Sequence, residues 1–526
     1  MASDHRTLDI HAPVASRPRT RDRSRYILLN AVTSYGRDIL DTIIFLVLIP
    51  FIIRTLGEAA FGLWSLIWAF LSLFELADMG LGTSVVKYVA DTKGRGDDEG
   101  QRRIVCTLFW IYVILGGLLM LGVTASLVFF NRLFDIPAAQ ASTARAVLLI
   151  LGARAALNMP LGMFRGVLIG YQKLSVANGY KMLASIFYFV AVLVLLHRIP
   201  DLRLLAGLNL LMGVLPMAAM MIHARRMIPS LALHPRYFDR RLIGRVMSFS
   251  LYFTLIQISG LLATRVDSMV IKMFLPLEMV AVYAIAMRLS EKANRFCSHL
   301  IKTLTPVVAE LHGAGEQQNI RAVWYRGTKL TVAFASPLLV GLALLAKPLV
   351  LAWTGPNFQL SAPALQWLVA AVMVSIIHGN TANILSMGGH QKYLAFSLLG
   401  GQLLNLGLSL VLIQRLGIVG VAMATFIAAL PLHVGLIQTR AGRLHGRSHW
   451  DFYRQTVWPS VPPTLFMAAL LYVLQRRWMP STLLEVAAQE ILAVLAFGVL
   501  FWFIGFTAHE RAYFKAKVIH RILRRS

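Results

Sequence analysis

The sequence predicts an all-α membrane protein of about 14 transmembrane helices. They form two parallel six-helix lobes followed by two C-terminal helices. Three observations carry this. Of 526 residues, 57% are apolar and 14% charged, where a soluble chain carries about 25% charged residues. Apolar runs of roughly 20 residues, the length that crosses a bilayer as a helix, recur from Ala31 to Phe506. Two stretches of the first half return in the second at a nearly constant offset.

The runs at 31–53, 62–89, 104–130, 143–164, 175–196 and 204–223 make the first lobe, residues 27–226. A basic linker at 227–246 leads to the second lobe, 247–438, with runs at 247–271, 280–308, 328–352, 363–386, 393–413 and 417–438. Runs at 456–474 and 485–507 occupy the segment 439–507, and basic tails lie at 1–26 and 508–526. The repeat rests on two matches. IIRTLGEAAFGLWSL (52–66) aligns with VIKMFLPLEMVAVYAI (270–285), and VLIGYQKL (167–174) with LSMGGHQKY (385–393). The shared G-x-Q-K, Gly170 to Lys173 and Gly389 to Lys392, follows the fourth run of each half. Six runs separate the copies, so both enter the membrane from the same side, as parallel repeats about an axis along its normal.

The net charge of +27 raises nucleic acid as a partner, but the distribution of the charge excludes it. One alternate set of loops holds about four times as many Lys and Arg as the other, the asymmetry of cytoplasmic loops, which puts both termini in the cytoplasm. Clusters such as Arg225, Arg226, Arg240 and Arg241 then hold loops on that side, against anionic lipid heads. The polar, basic N-terminal tail is expected to be disordered, and it lacks the apolar run and cleavage site of a signal peptide. Cys106 and Cys297 both fall within runs, which argues against a disulfide framework or a Cys-based metal site. No Walker A loop or H-E-x-x-H occurs, and the loops are too short for a soluble catalytic domain. No catalytic residue, metal or enzymatic activity is expected.

Function must then lie among the helices, and charge inside the apolar runs marks where. A charge at the bilayer centre costs roughly 2.5–3.5 kcal/mol, so it faces protein or water. Arg288, Lys292, Arg295, His299 and Lys302 step by four and three, which keeps them on one helical face. The stripe runs for about 21 Å, two-thirds of the hydrocarbon thickness, with Glu291 at its margin; Lys302 is expected to snorkel to the headgroups. Arg265 and Asp267 in the preceding run point apart on their helix. In the first run Arg37 adjoins Asp38 and Asp41, which share a face. In the second, Glu75 and Asp78 share a face and together suit a proton or a sodium ion.

Where the stripe has cations, the matching positions of the second run carry Ala69, Leu73, Leu76, Gly80 and Thr83. The lobes are therefore expected to be unequal: one cationic, the other an apolar, aromatic wall with Trp64, Trp68 and Phe70. Such a cavity suits an anionic head bearing sugars or lipid, since Arg binds phosphate oxygens through bidentate hydrogen bonds.

Several motifs resemble a known family. Asn30 precedes a first run closing on R-x-L-G (Arg54 to Gly57). F-G-L-W (Phe61 to Trp64) and L-x-D-x-G-L-G (Leu76 to Gly82) follow, ending in Lys87-Tyr-Val-Ala, and G-I-V-G-V-A-M-A-T (Gly417 to Thr425) comes later. In these the chain resembles the Wzx-type polysaccharide flippases of the multidrug/oligosaccharidyl-lipid/polysaccharide exporter superfamily. The resemblance implies a V-shaped central cavity lined by spans 1, 2, 7 and 8, in a multi-pass protein of the bacterial inner membrane. It implies a substrate, an oligosaccharide on polyprenyl pyrophosphate, turned from the cytoplasmic to the periplasmic leaflet by alternating access. Arg288, Lys292, Arg295, Arg265 and Arg37 are then expected to bind pyrophosphate or sugar. Glu75, Asp78, Asp267 and Glu291 are expected to couple transport to Na+ or H+, with no other cofactor. Membrane lipids, a polysaccharide polymerase and chain-length machinery are the expected partners. A cation-coupled multidrug exporter and a lipid II flippase of the same superfamily are the alternatives.

Overall fold

A computed structural model describes residues 20–74, 78, 81–228 and 233–514. Over these the chain is helical between short turns, with no strand among the described residues. The first lobe comprises α1 (Thr20–Leu56), α2 (Glu58–Phe74), α3 (Leu81–Arg95), α4 (Asp98–Ser126), the short α5 (Phe130–Leu133), α6 (Ala138–Gly170), α7 (Leu174–Arg198) and α8 (Leu202–Met227). The second begins with α9 (Arg241–Phe274), α10 (Leu277–Gly313), α11 (Gln317–Leu344) and α12 (Ala346–Thr354). It continues through α13 (Ser361–Ile377), α14 (Gly379–Met387) and α15 (Gln391–Leu430). After α16 (Thr439–His445) and α17 (His449–Thr456) come the tail helices α18 (Val461–Arg477) and α19 (Leu483–Leu500), then α20 (Ala508–Phe514).

Helix ends follow local chemistry. Asp97 caps α4 by accepting from the Gly100 amide at 2.8 Å, and Asp201 caps α8 through the Arg203 amide. Thr482 and Glu485 form a reciprocal capping box at the start of α19, the pattern that satisfies two free amides at once.

Among the described residues nine helices are long and apolar enough to cross a membrane, or ten when α13 and α14, bent by 43°, count as one. Over the described residues the expected runs fall on helix, and several depart from a simple span. In the second, α2 ends at Phe74 and α3 begins at Leu81. The tenth bends at His378. The eleventh and twelfth meet at Gly417, whose non-helical φ of 58° and ψ of −140° reverse the chain. A Cβ on Gly420 would lie 2.4 Å from the Leu412 carbonyl oxygen, and Gly401 packs on Leu432. Residues so far apart meet only if the helix doubles back, and only glycine takes this conformation without strain. The hairpin is therefore two antiparallel helices.

Leu81 and Val85 of α3, Phe164 and Leu168 of α6, and Met220 of α8 form the first lobe's core. Trp324, Ile384 and Phe452 hold α11, α14 and α17 together in the second. Met467, Leu471 and Phe497 join the tail helices to one another and to Leu345. Outward faces carry exposed Leu121, Val128, Phe187 and Val190, apolar surface that a lipid environment satisfies.

The lobes meet along α2 and α10. A Cβ on Gly62 would lie 2.1 Å from the Leu277 carbonyl oxygen, so the two backbones touch. Val280 to Ala286 are all buried there. Trp353 Nε1 donates to the Leu46 carbonyl at 2.8 Å and Asn357 Nδ2 to Glu58 Oε1 at 2.7 Å, so α1 and α2 are also stitched to the second lobe. Further along α10, Arg295, Phe296 and Lys302 are exposed. The helix therefore changes from seam to cavity wall within a few turns.

Candidate substrate cavity

One compartment lies between the lobes, and a second, inside the first lobe, adjoins it at Arg295. The former, of about 450 Å³, is walled by α1, α2, α9 and α10, with Phe45, Trp64 and Trp68 opposite Arg265, Arg288, Lys292 and Arg295. The other, of about 460 Å³, is walled by α1 and α6 to α8, with Arg37, Arg154, Arg165 and Lys181. Asp41, Tyr188, Asn209 and Arg295 line both. Arg295 thus sits at the junction of a single cationic space.

Three of the five residues of the expected stripe on α10, Arg288, Lys292 and Arg295, line this space, whereas His299 and Lys302 line neither compartment; steps of four and three hold one azimuth. Arg288 lies over the Phe61 ring at 5.6 Å and Lys292 over Phe45 at 5.4 Å, so each cation rests on an aromatic face of the first lobe. Lys292 Nζ also donates to Thr42 Oγ1 at 3.4 Å. Glu291 pairs with Arg265 of α9 at 3.6 Å, bringing together two residues read separately from the sequence. Arg37 is 3.0 Å from Asp38 and 3.9 Å from Asp41, and it donates to Asn178 Oδ1 at 3.1 Å. Asp38 meets His299 at 3.6 Å, and Ser185 donates to Asp41 at 3.0 Å.

The carboxylates expected to bind an ion are dispersed. Asp267 is buried behind the cavity wall and accepts from Tyr283 Oη at 2.5 Å. Asp78 accepts from Tyr112 Oη of α4 at 2.6 Å; neither Asp lines either compartment. Glu75 lies outside the described residues. Of the three that are described, Glu291 alone lines the cavity, and it also borders a smaller space of about 160 Å³ inside the second lobe with Asn294, Asn405, Thr425 and His433.

The expected apolar wall on the first lobe is half right. Trp64 and Trp68 line the cavity, whereas Phe70 is packed inward against Phe130 at 5.0 Å. Beside them the first lobe brings Arg154, Arg165 and Lys181, which sequence reasoning did not single out. Arg154 stacks over Trp68 at 4.8 Å. It fits because Gly213 of α8 leaves room: a Cβ there would be 2.3 Å from Arg154 Nε. Arg165 and Lys181 sit on different helices, so no periodicity announces them. The available signal was their presence as lone cations within or beside apolar runs, which calls for a partner.

The joined space therefore holds an excess of positive charge, aromatic faces and the amides of Asn158 and Asn209. Its Arg forks and ring faces are groups that suit a large anion with polar substituents.

Solved structures share this architecture. The lipid II flippase MurJ in its inward closed conformation superposes with a TM-score of 0.69 at 15% identity, covering 90% of this chain and 99% of that one. An inward-facing multidrug resistance MATE transporter of the MOP superfamily gives 0.64 at 16% identity, covering 76% and 94%. Among relatives by sequence, the uncharacterized membrane protein EpsK of Bacillus subtilis is 21% identical, over 78% of this chain and 82% of its own. The probable low-salt glycan biosynthesis flippase Agl15 of Haloferax volcanii is 24% identical over 43% of this chain and 47% of its own length. Residues 29–312, more than half of the sequence, match the polysaccharide biosynthesis protein family; the chain belongs to that family and has the MOP-superfamily fold.

Proposed function

We propose that this protein is a flippase carrying an oligosaccharide on polyprenyl pyrophosphate from the cytoplasmic to the periplasmic leaflet of the inner membrane. It works by alternating access, in polysaccharide or lipopolysaccharide biosynthesis, with both termini cytoplasmic. One observation carries the reading: Arg295 joins two cationic compartments, a continuous field suited to a pyrophosphate with polar sugars attached. Arg288, Lys292, Arg265 and Arg37 share the anion with it. The aromatic faces of Trp64 and Trp68 serve the sugars. A Na+ or H+ gradient drives the cycle through Glu291, which among the described carboxylates of the expected set lines the cavity; Asp78 and Asp267 act from behind it. The glycan then passes to a polymerase and chain-length machinery.

The sidedness of lipid-linked glycans in cells lacking the protein, and in cells carrying Arg288→Ala/Arg295→Ala, tests this. Cytoplasmic accumulation in both, with the variant normally inserted, is the expected result. Normal sidedness in cells carrying the double variant as their only copy refutes the role of these arginines.

A further inference from the structure

A second cationic cavity lies away from the substrate space and shares no lining residue with it. It occupies about 770 Å³ between α11, the segment from α16 to α18, and α20. We infer that it binds the phosphate-bearing headgroup of an anionic membrane phospholipid.

The cations come from two directions. Arg321, Arg326 and Lys329 project from α11, and Arg447 comes from the turn before α17. The single carboxylate in the lining, Glu510, is engaged by Lys329 at 2.7 Å. Arg321, Arg326 and Arg447 make no ion pair with any described residue, so an anion placed among them meets three uncompensated charges. Two polar groups of the wall reinforce this. Arg321 Nε and Tyr325 Oη are buried and have no hydrogen-bond partner among the described residues. Buried donors left so are uncommon, and both belong to residues that line the cavity.

The other wall of the cavity selects a lipid over a free anion. Trp458, Pro459, Pro462 and Ile504 supply it. Trp458 is 62% exposed and Ile504 55%, and one turn beyond Pro462 the lipid-facing side of α18 shows exposed Leu465 and Phe466. A Trp at the start of a span is the signature of the membrane–water boundary. Headgroup among the arginines and acyl chains along α18 is the one arrangement that uses both walls. Basic pockets between helices at the cytoplasmic face hold anionic headgroups by this chemistry. The lipid bridges the second lobe and the tail helices, which the repeat leaves without a counterpart.

The full-length protein, purified in detergent, is mixed in turn with phosphatidylglycerol, phosphatidylethanolamine and inorganic phosphate. Melting temperature and the lipids retained in native mass spectrometry are read. Phosphatidylglycerol is expected to raise the midpoint by about 2–4 °C and to be retained over phosphatidylethanolamine. Arg321→Ala/Arg447→Ala is expected to lower that preference roughly tenfold. Equal effects of the two lipids, or inorganic phosphate reproducing the shift alone, overturn the inference. Should the double variant fail to fold, Arg326→Gln at an exposed position decides: a partial loss of preference supports the site, and an unchanged preference overturns it.

Discussion

The two lobes supply positive charge to one cavity by different constructions. The second lobe places Arg288, Lys292 and Arg295 along a single helix, with Arg265 beside them on α9. The first lobe scatters Arg154, Arg165 and Lys181 over α6 and α7 and lets packing converge them. The first construction is a one-dimensional pattern; the second exists only in three dimensions. Electrostatically they are alike, and an anion between them experiences both.

That equivalence is open to attack. The largest effect is expected from charge reversal in the first lobe. Arg165→Glu should reduce glycan flipping as severely as Arg295→Ala, roughly ten- to a hundredfold for a lost charge-assisted contact. A sidedness assay that finds Arg165→Glu fully active would leave the second lobe as the only anion site. Next comes the seam between the lobes. Gly62→Ala puts a methyl group 2.1 Å from the Leu277 carbonyl and should cost about 1–3 kcal/mol as overpacking, read as a lower melting temperature. No shift would mean that the seam opens readily.

Each lobe also sets an aspartate against a tyrosine hydroxyl. Tyr283→Phe leaves the fully enclosed Asp267 without its donor and should destabilise by about 1–3 kcal/mol. Tyr112→Phe, beside the less enclosed Asp78, should cost less; equal losses would show that enclosure is not what matters. The smallest effect is outside both lobes. Burial works to raise the pKa of Glu510, but Lys329 and Thr507 outweigh it and hold the carboxyl below its usual range. A carboxylate with a lowered folded pKa gives stability present above its unfolded pKa and lost as pH falls through the folded value. Melting profiles of Glu510→Gln and the parent should therefore differ at neutral pH and converge in acid.

Much of the fold was legible. Apolar runs gave the helices because a bilayer-spanning helix needs little but length and hydrophobicity. The bends were not, because they depend on neighbours: the tenth run turns at His378, and Gly417 is one glycine among 38. Within the site, the α10 stripe was legible through its spacing. The Arg265–Glu291 pair was hidden because its partners are on different helices, and so was Arg154, which owes its place to the absence of a side chain at Gly213. Asp267 read as a cavity residue, but Tyr283 holds it inside the lobe. Sequence shows charge along a helix; it does not show which way a neighbouring helix turns its own.

The seam at Gly62 has a consequence for how such a protein changes over generations. At its closest point the joint between the halves is made from a bare α-carbon and a carbonyl oxygen, a contact that depends on position 62 having no side chain. The cavity's cations lie further along the same helices and beyond. Cargo preference and mechanical fit are thus written in separate residues. A lineage can rewrite the lining for a new glycan, one arginine at a time, without having to refit that contact.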